Sequence, residues 1–136
     1  MVKPIIKDVI FLSQKAMPAT QDDTQTARDL IDTLEAHIDE CVGMAANMIG
    51  VNKNIIVFKS QGECVVMMNP RIIKCSGEYE AKEGCLSLSG VRPAKRYKSI
   101  KVSYYTTDFR ERVKNFTDFT AQIIQHEIDH CNGIII

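Results

Sequence analysis

The chain has 136 residues, 45% of them hydrophobic and 25% charged, and its 17 basic residues balance its 17 acidic ones. This length predicts a single domain spanning residues 1–136, and this composition excludes an intrinsically disordered chain. Zero net charge argues against direct, sequence-specific binding of nucleic acid, because contacts with the phosphate backbone need a surplus of basic residues.

One helix is predicted in the N-terminal part of the chain. Residues 1–19 are expected to be irregular, and their apolar run, residues 9–12, is too short for a signal peptide or a membrane span. Thr20 is a suitable N-cap for a helix over residues 21–40, with acidic residues in the first turn. Its apolar positions follow helical spacing: Ala27, Leu30, Ile31, Leu34 and Ile38.

The middle of the chain is predicted to form strands. A small, apolar, glycine-bounded segment, residues 43–50, comes first. Five runs rich in Val, Ile, Tyr and Phe then predict strands at residues 54–59, 63–69, 71–74, 99–106 and 112–116. Pro70 indicates an edge position or a bulge between the second and third of these runs.

A second helix is predicted near the C-terminus. Thr117 or Asp118 can cap it, an apolar stripe runs from Ala121 to Cys131, and Gly133 can end it in the left-handed conformation. The expected fold class is therefore α+β, with antiparallel sheets packed around this C-terminal helix.

The second helix carries the sequence His126-Glu127-Ile128-Asp129-His130. Residues at i and i+4 lie on one face of a helix, so both imidazoles can bind one metal ion. Glu127 is placed to move the proton of a water molecule near that ion, as in metal-dependent hydrolases. Asp129 could pair with Arg96 and hold the helix in place from behind the metal ligands.

A catalytic metal site needs a third protein ligand. His37 is one candidate, but it lies in an acidic helical segment where a solvated surface histidine is expected. Cys85, within Glu83-Gly84-Cys85-Leu86-Ser87, is the stronger candidate, and a thiolate favours Fe(II), Zn or Co over Mg or Ca. The odd number of cysteines and the lack of a C-x-x-C pair predict a reducing, cytoplasmic environment.

Three segments together resemble the peptide deformylase family: a glycine–alanine segment at residues 41–50, the E-G-C-L-S segment at 83–87 and the Q-H-E-I-D-H segment at 125–130. The resemblance implies a metal-dependent hydrolase that removes the N-formyl group from formyl-methionine of nascent polypeptides and releases formate. It also implies Fe2+ as the cofactor, with Zn2+, Ni2+ or Co2+ able to substitute. The partners would be formylated nascent peptides and the ribosome, with no membrane partner.

The resemblance also implies residue roles. Cys85, His126 and His130 would bind the metal, and Glu127 would be the acid–base group. The backbone N–H of Leu86 would stabilise the oxyanion. Substrate contacts would come from Val42, Gly43 and Arg92.

One departure from the family motif concerns catalysis. Met48 stands where the family has a glutamine whose amide assists the Leu86 N–H, and a thioether cannot donate a hydrogen bond. Neighbouring Asn47 could replace that amide only if the backbone were rotated. Two alternatives to an active deformylase therefore stay open. One is a weakly active or inactive metal protein of the same fold that binds formylated peptides or a partner. The other is an H-E-x-x-H peptidase, which Cys85 as a ligand disfavours.

Overall fold

The structure is a computed structural model that describes residues 1–85 and 87–134. Within that part of the chain, five antiparallel strands form one sheet in which each strand pairs with the next in sequence. The strands are β1 (Gly43–Ala45), β2 (Ile55–Ser60), β3 (Glu63–Cys85), β4 (Leu88–Tyr105) and β5 (Glu111–Thr117).

Helices cover the two faces of this sheet. The described helices are α1 (Val9–Leu12), α2 (Thr24–Ala36) and α3 (Asp118–Cys131), with short 3-10 helices at Gln21–Asp23 and Ala46–Ile49. The side chains of β2 alternate between two cores, so all four of its apolar residues are buried. Ile55 and Val57 pack with α2, whereas Ile56 and Phe58 pack with α3. The α+β class and the antiparallel pairing predicted from the sequence are confirmed.

The first helix differs from the prediction at its C-terminal end. Thr20 is the expected cap, since its hydroxyl accepts a hydrogen bond from the Asp22 N–H at 3.2 Å. However, α2 ends at Ala36 rather than at residue 40. Two acidic residues, Asp39 and Glu40, would otherwise lie in the last turn, where the helix dipole disfavours negative charge. The short helix α1, which Asp8 caps, was not predicted.

The strands β3 and β4 form a much longer hairpin than predicted. β3 runs without interruption from Glu63 to Cys85, and β4 begins at Leu88 rather than at residue 99. Most residues in the outer part of the hairpin are polar, and two of its buried side chains, Glu83 and Arg96, are charged, so it lacks the apolar pattern on which the strand predictions depended. The bulge expected at Pro70 is present as a register shift between Met68 and Arg71.

This hairpin and α3 position the candidate site. The hairpin brings Cys85, the last residue of β3, against α3, which lies across the sheet. Gly133 ends the helical segment with a φ of +75°, as predicted. None of the helices in the described ranges is long and apolar enough to cross a membrane.

Candidate metal centre and active site

Cys85, His126 and His130 come together at the tip of the hairpin. Their ligand atoms all lie within 4.8 Å of one another, and the two histidine Nε2 atoms are 3.1 Å apart. These separations suit one ion bound at about 2.0–2.3 Å from each donor atom. Within residues 1–85 and 87–134, no other group of three potential ligands is this close. His37 lies elsewhere, with its Nδ1 3.1 Å from Glu40.

The charges around the three ligands favour a cation. Burial alone would raise the pKa of Cys85, but His126 and His130 outweigh it and lower this pKa to about 5. Burial opposes a charge on His126 as well, yet Cys85 and Glu83 raise its pKa to about 10. A divalent cation can take the place of the proton on the His126 ring, because metal binding and protonation compete for the same ligand atom. The donor set therefore fits a transition-metal ion.

A buried network behind the ligands fixes the His126 ring. Glu83 Oε1 lies 2.7 Å from His126 Nδ1, so the carboxylate holds the proton on Nδ1 and leaves Nε2 for a metal. Arg96 donates to both Glu83 oxygens at 2.6–3.1 Å and to Asp129 Oδ2 at 2.7 Å. Burial would raise the pKa of Glu83, but His126 and Arg96 hold it at about 2. This network joins β3, β4 and α3.

The pairing of Asp129 with Arg96 was predicted from the sequence, but the part played by Glu83 was not. The sequence nonetheless contained an indication of this role. Glu83 stands two residues before Cys85, and alternate residues of a strand face the same side. A carboxylate at that position therefore reaches the site that the thiolate reaches.

Glu127 is buried beside the ligands and lies against Gly43. Its side chain is only 4% exposed, and among the described residues none hydrogen-bonds its Oε1 atom. Burial raises the pKa of this carboxyl above its ordinary value. A Cβ atom at Gly43 would lie 2.9 Å from Glu127 Oε2 and 2.7 Å from Ile123 Cγ2. Glycine at this position therefore leaves the space that the Glu127 carboxylate occupies.

A cavity of about 270 Å³ opens in front of the site. Cys85, His126 and Glu127 line it, and so do Val42 and Gly43, the predicted substrate contacts. Met48, Phe119, Gln122 and Ile123 also line it. The cavity is large enough for an amino-acid side chain next to the reacting group.

Two further predicted site residues, Arg92 and Leu86, are not among the described residues that line the cavity. Arg92 of β4 lies opposite Glu83 of β3 in the register of the hairpin. Its contact with substrate stays a prediction. Leu86, the predicted donor of the oxyanion N–H, lies outside the described residues.

Met48, which replaces the family glutamine, and its neighbour Asn47 have different surroundings. Met48 is buried and lines the cavity, so a thioether occupies the position of the family glutamine. Asn47 donates from Nδ2 to the backbone carbonyl of His130 at 2.9 Å. Its amide group therefore supports the helix, and Asn47 is not among the described residues that line the cavity.

Comparisons with a family model and with known proteins find matches over nearly the whole chain. The family model described as Polypeptide deformylase matches residues 3–136. The chain is 53% identical to the peptide deformylase of Clostridium beijerinckii over 136 residues, which cover 100% of both chains. It is 36% identical to that of Thermoanaerobacter pseudethanolicus over 126 residues, covering 91% of this chain and 79% of the relative.

Solved structures show the same fold. The class I type b peptide deformylase of Acinetobacter baumannii bound to Met-Ala-Ser has a TM-score of 0.89 at 30% identity. That match covers 99% of this chain and 97% of the other. The peptide deformylase of Thermotoga maritima has a TM-score of 0.90 at 28% identity, covering 99% and 95% of the two chains.

Proposed function

Because the chain belongs to the polypeptide deformylase family, we propose that Cys85, His126 and His130 bind the metal ion of a deformylase active site. The chain is a metal-dependent hydrolase that removes the N-formyl group from N-terminal formyl-methionine of nascent polypeptides and releases formate. The observation that carries the residue assignment is the cluster of these three ligands beside the buried Glu127.

The metal would be Fe2+, with Zn2+, Ni2+ or Co2+ able to substitute. A thiolate and two imidazoles are ligands that suit these ions, whereas Mg2+ and Ca2+ prefer oxygen. When bound, such an ion supplies Lewis-acid activation of water and of the formyl carbonyl. The Cys85 thiolate is present at neutral pH, since its pKa is about 5.

Glu127 is the group that moves the proton. It takes a proton from the water that attacks the formyl carbon and passes that proton to the leaving amine as the carbon–nitrogen bond breaks. Burial raises its pKa above that of an ordinary carboxyl, which makes Glu127 a stronger proton acceptor. Gly43 keeps the Glu127 carboxylate at the edge of the cavity.

Substrate binding follows the shape of the cavity. The formyl group lies at the metal ligands, and Val42 and Gly43, which line the same cavity, contact the start of the peptide. Met48 supplies no hydrogen bond to the developing oxyanion, so the Leu86 N–H would carry that role without a side-chain amide. The Arg92 contact belongs to the same proposal.

The place of action follows from the substrate. Formylated nascent peptides are produced at the ribosome, so we propose a cytoplasmic protein that works on emerging chains and associates with ribosomes. The alternative of an inactive metal protein gains no support from the relatives described above, which are named peptide deformylases.

A formate-release assay tests the proposal. The protein is purified without air, loaded with Fe(II) or Ni(II), and incubated with formyl-Met-Ala-Ser. We expect formate release from the native protein and a loss of at least about 100-fold in Glu127→Ala, because general acid–base catalysis contributes roughly 100- to 10,000-fold. Equal rates for the two proteins would sink the assignment of Glu127, and no release from either would sink the activity.

A further inference from the structure

Gln122 places an amide group in an otherwise apolar part of the cavity wall. It lies on α3 one turn before His126, and it lines the cavity with Phe119, Ile123 and Met48. Four residues of helix correspond to about 6 Å along the axis, which separates Gln122 from the ligand end. The amide is therefore near the substrate but away from the reacting atoms.

Tyr79 of β3 fixes the orientation of this amide. The Tyr79 hydroxyl donates to Gln122 Oε1 at 3.0 Å. Burial raises the pKa of the Tyr79 phenol, which keeps this donor protonated. Since Oε1 is held, the Nε2 group has its two hydrogens left to donate, and no residue in the described ranges accepts one. The Gln122 side chain is half-buried, so water can reach Nε2 in the free protein, and a substrate acceptor would replace that water.

We propose that Gln122 is a specificity-determining residue that donates a hydrogen bond to the thioether sulfur of the substrate methionine. The proposal rests on the deformylase function above. The sulfur of formyl-methionine is five covalent bonds from the formyl carbon, which brings it to the level of Gln122 when the formyl group lies at the ligands. Sulfur is a weak acceptor, so the preference it gives is modest.

Formyl-norleucine separates this hydrogen bond from apolar packing, because norleucine has a methylene in place of the sulfur. The native, metal-loaded protein should cleave formyl-Met-Ala-Ser with a kcat/KM about two- to fivefold above that for formyl-Nle-Ala-Ser. In Gln122→Leu this ratio should fall to about one, because kcat/KM should decrease for formyl-Met-Ala-Ser and stay unchanged for formyl-Nle-Ala-Ser. Tyr79→Phe keeps the amide but frees it, and should give an intermediate ratio. Gln14→Leu, at an exposed position outside the cavity, is the matched control and should keep the native ratio.

Two results would overturn the proposal. One is an unchanged ratio in Gln122→Leu. The other is an equal fall for both peptides, which would assign the amide to the peptide backbone. If the native protein cleaved neither peptide, the deformylase function would fail separately. The affinities of Gln122→Leu and native protein for Met-Ala-Ser and Nle-Ala-Ser, measured by calorimetry, would then decide the sulfur contact.

Discussion

Replacing Glu83 by glutamine should weaken both the fold and the metal site. The native carboxylate accepts from His126 Nδ1 at 2.7 Å and from Arg96 at 2.6–3.1 Å. Glutamine keeps the shape but has only one acceptor oxygen, and its NH2 group would face another donor. The Glu83→Gln substitution therefore removes a buried charge partner and one end of the bond that orients the His126 ring.

The sizes of the two effects follow from the network. Breaking a buried ion pair on one side costs about 3–5 kcal/mol, but Asp129 still pairs with Arg96 at 2.7 Å, so we expect a loss of about 2–3 kcal/mol. For a chain of this size that corresponds to a fall in Tm of roughly 10 °C. Removing a group that orients a metal-binding histidine costs about 10- to 100-fold in metal affinity or activity.

Two measurements check this prediction. Thermal unfolding of the metal-free protein gives the stability, and a competitive chelator titration gives the metal affinity. Glu80→Gln is the matched control, because Glu80 is an exposed residue of the same strand and should change stability by less than about 0.5 kcal/mol. A Glu83→Gln protein that binds metal within about twofold of the native affinity would refute the reasoning about the His126 ring.

Two further substitutions test the cavity wall. Gly43→Ala should lower stability by about 1–3 kcal/mol and kcat by at least about 10-fold, because the new methyl lies within 3 Å of Ile123 and the Glu127 carboxylate. A variant with native kcat in the formate assay would show that Glu127 does not need this space. Met48→Gln should raise kcat, by up to about 100-fold, because it restores a donor near the developing oxyanion. An unchanged kcat would mean that the chain stabilises the oxyanion without a side chain at this position.

The sequence predicted the parts of the site that depend on local spacing. His126, Glu127 and His130 lie on one helical face because i and i+4 positions share a face, and Cys85 was indicated by its motif. Their approach to within 4.8 Å depends on the long β3–β4 hairpin. The outer half of that hairpin is mostly polar and has no regular apolar alternation, so a hydrophobic pattern could not predict it.

Contacts between elements far apart in sequence could not be derived from spacing alone. The Tyr79 hydroxyl meets the Gln122 amide across 43 positions of sequence. Asn47 is similar, since its amide bonds the carbonyl of His130, 83 positions away. Local propensity carries no information on such pairs, and only the packing of α3 on the sheet creates them.

X-ray absorption spectroscopy of the metal-loaded protein tests the central claim most directly. Protein loaded with Fe(II), and in parallel with Zn(II), should show one sulfur at about 2.3 Å and two imidazole nitrogens at about 2.0–2.1 Å. In Cys85→Ala the sulfur scatterer should disappear and the metal content should fall. Undiminished metal content in Cys85→Ala, or a native spectrum without sulfur, would contradict the assignment of Cys85, His126 and His130 as the metal ligands.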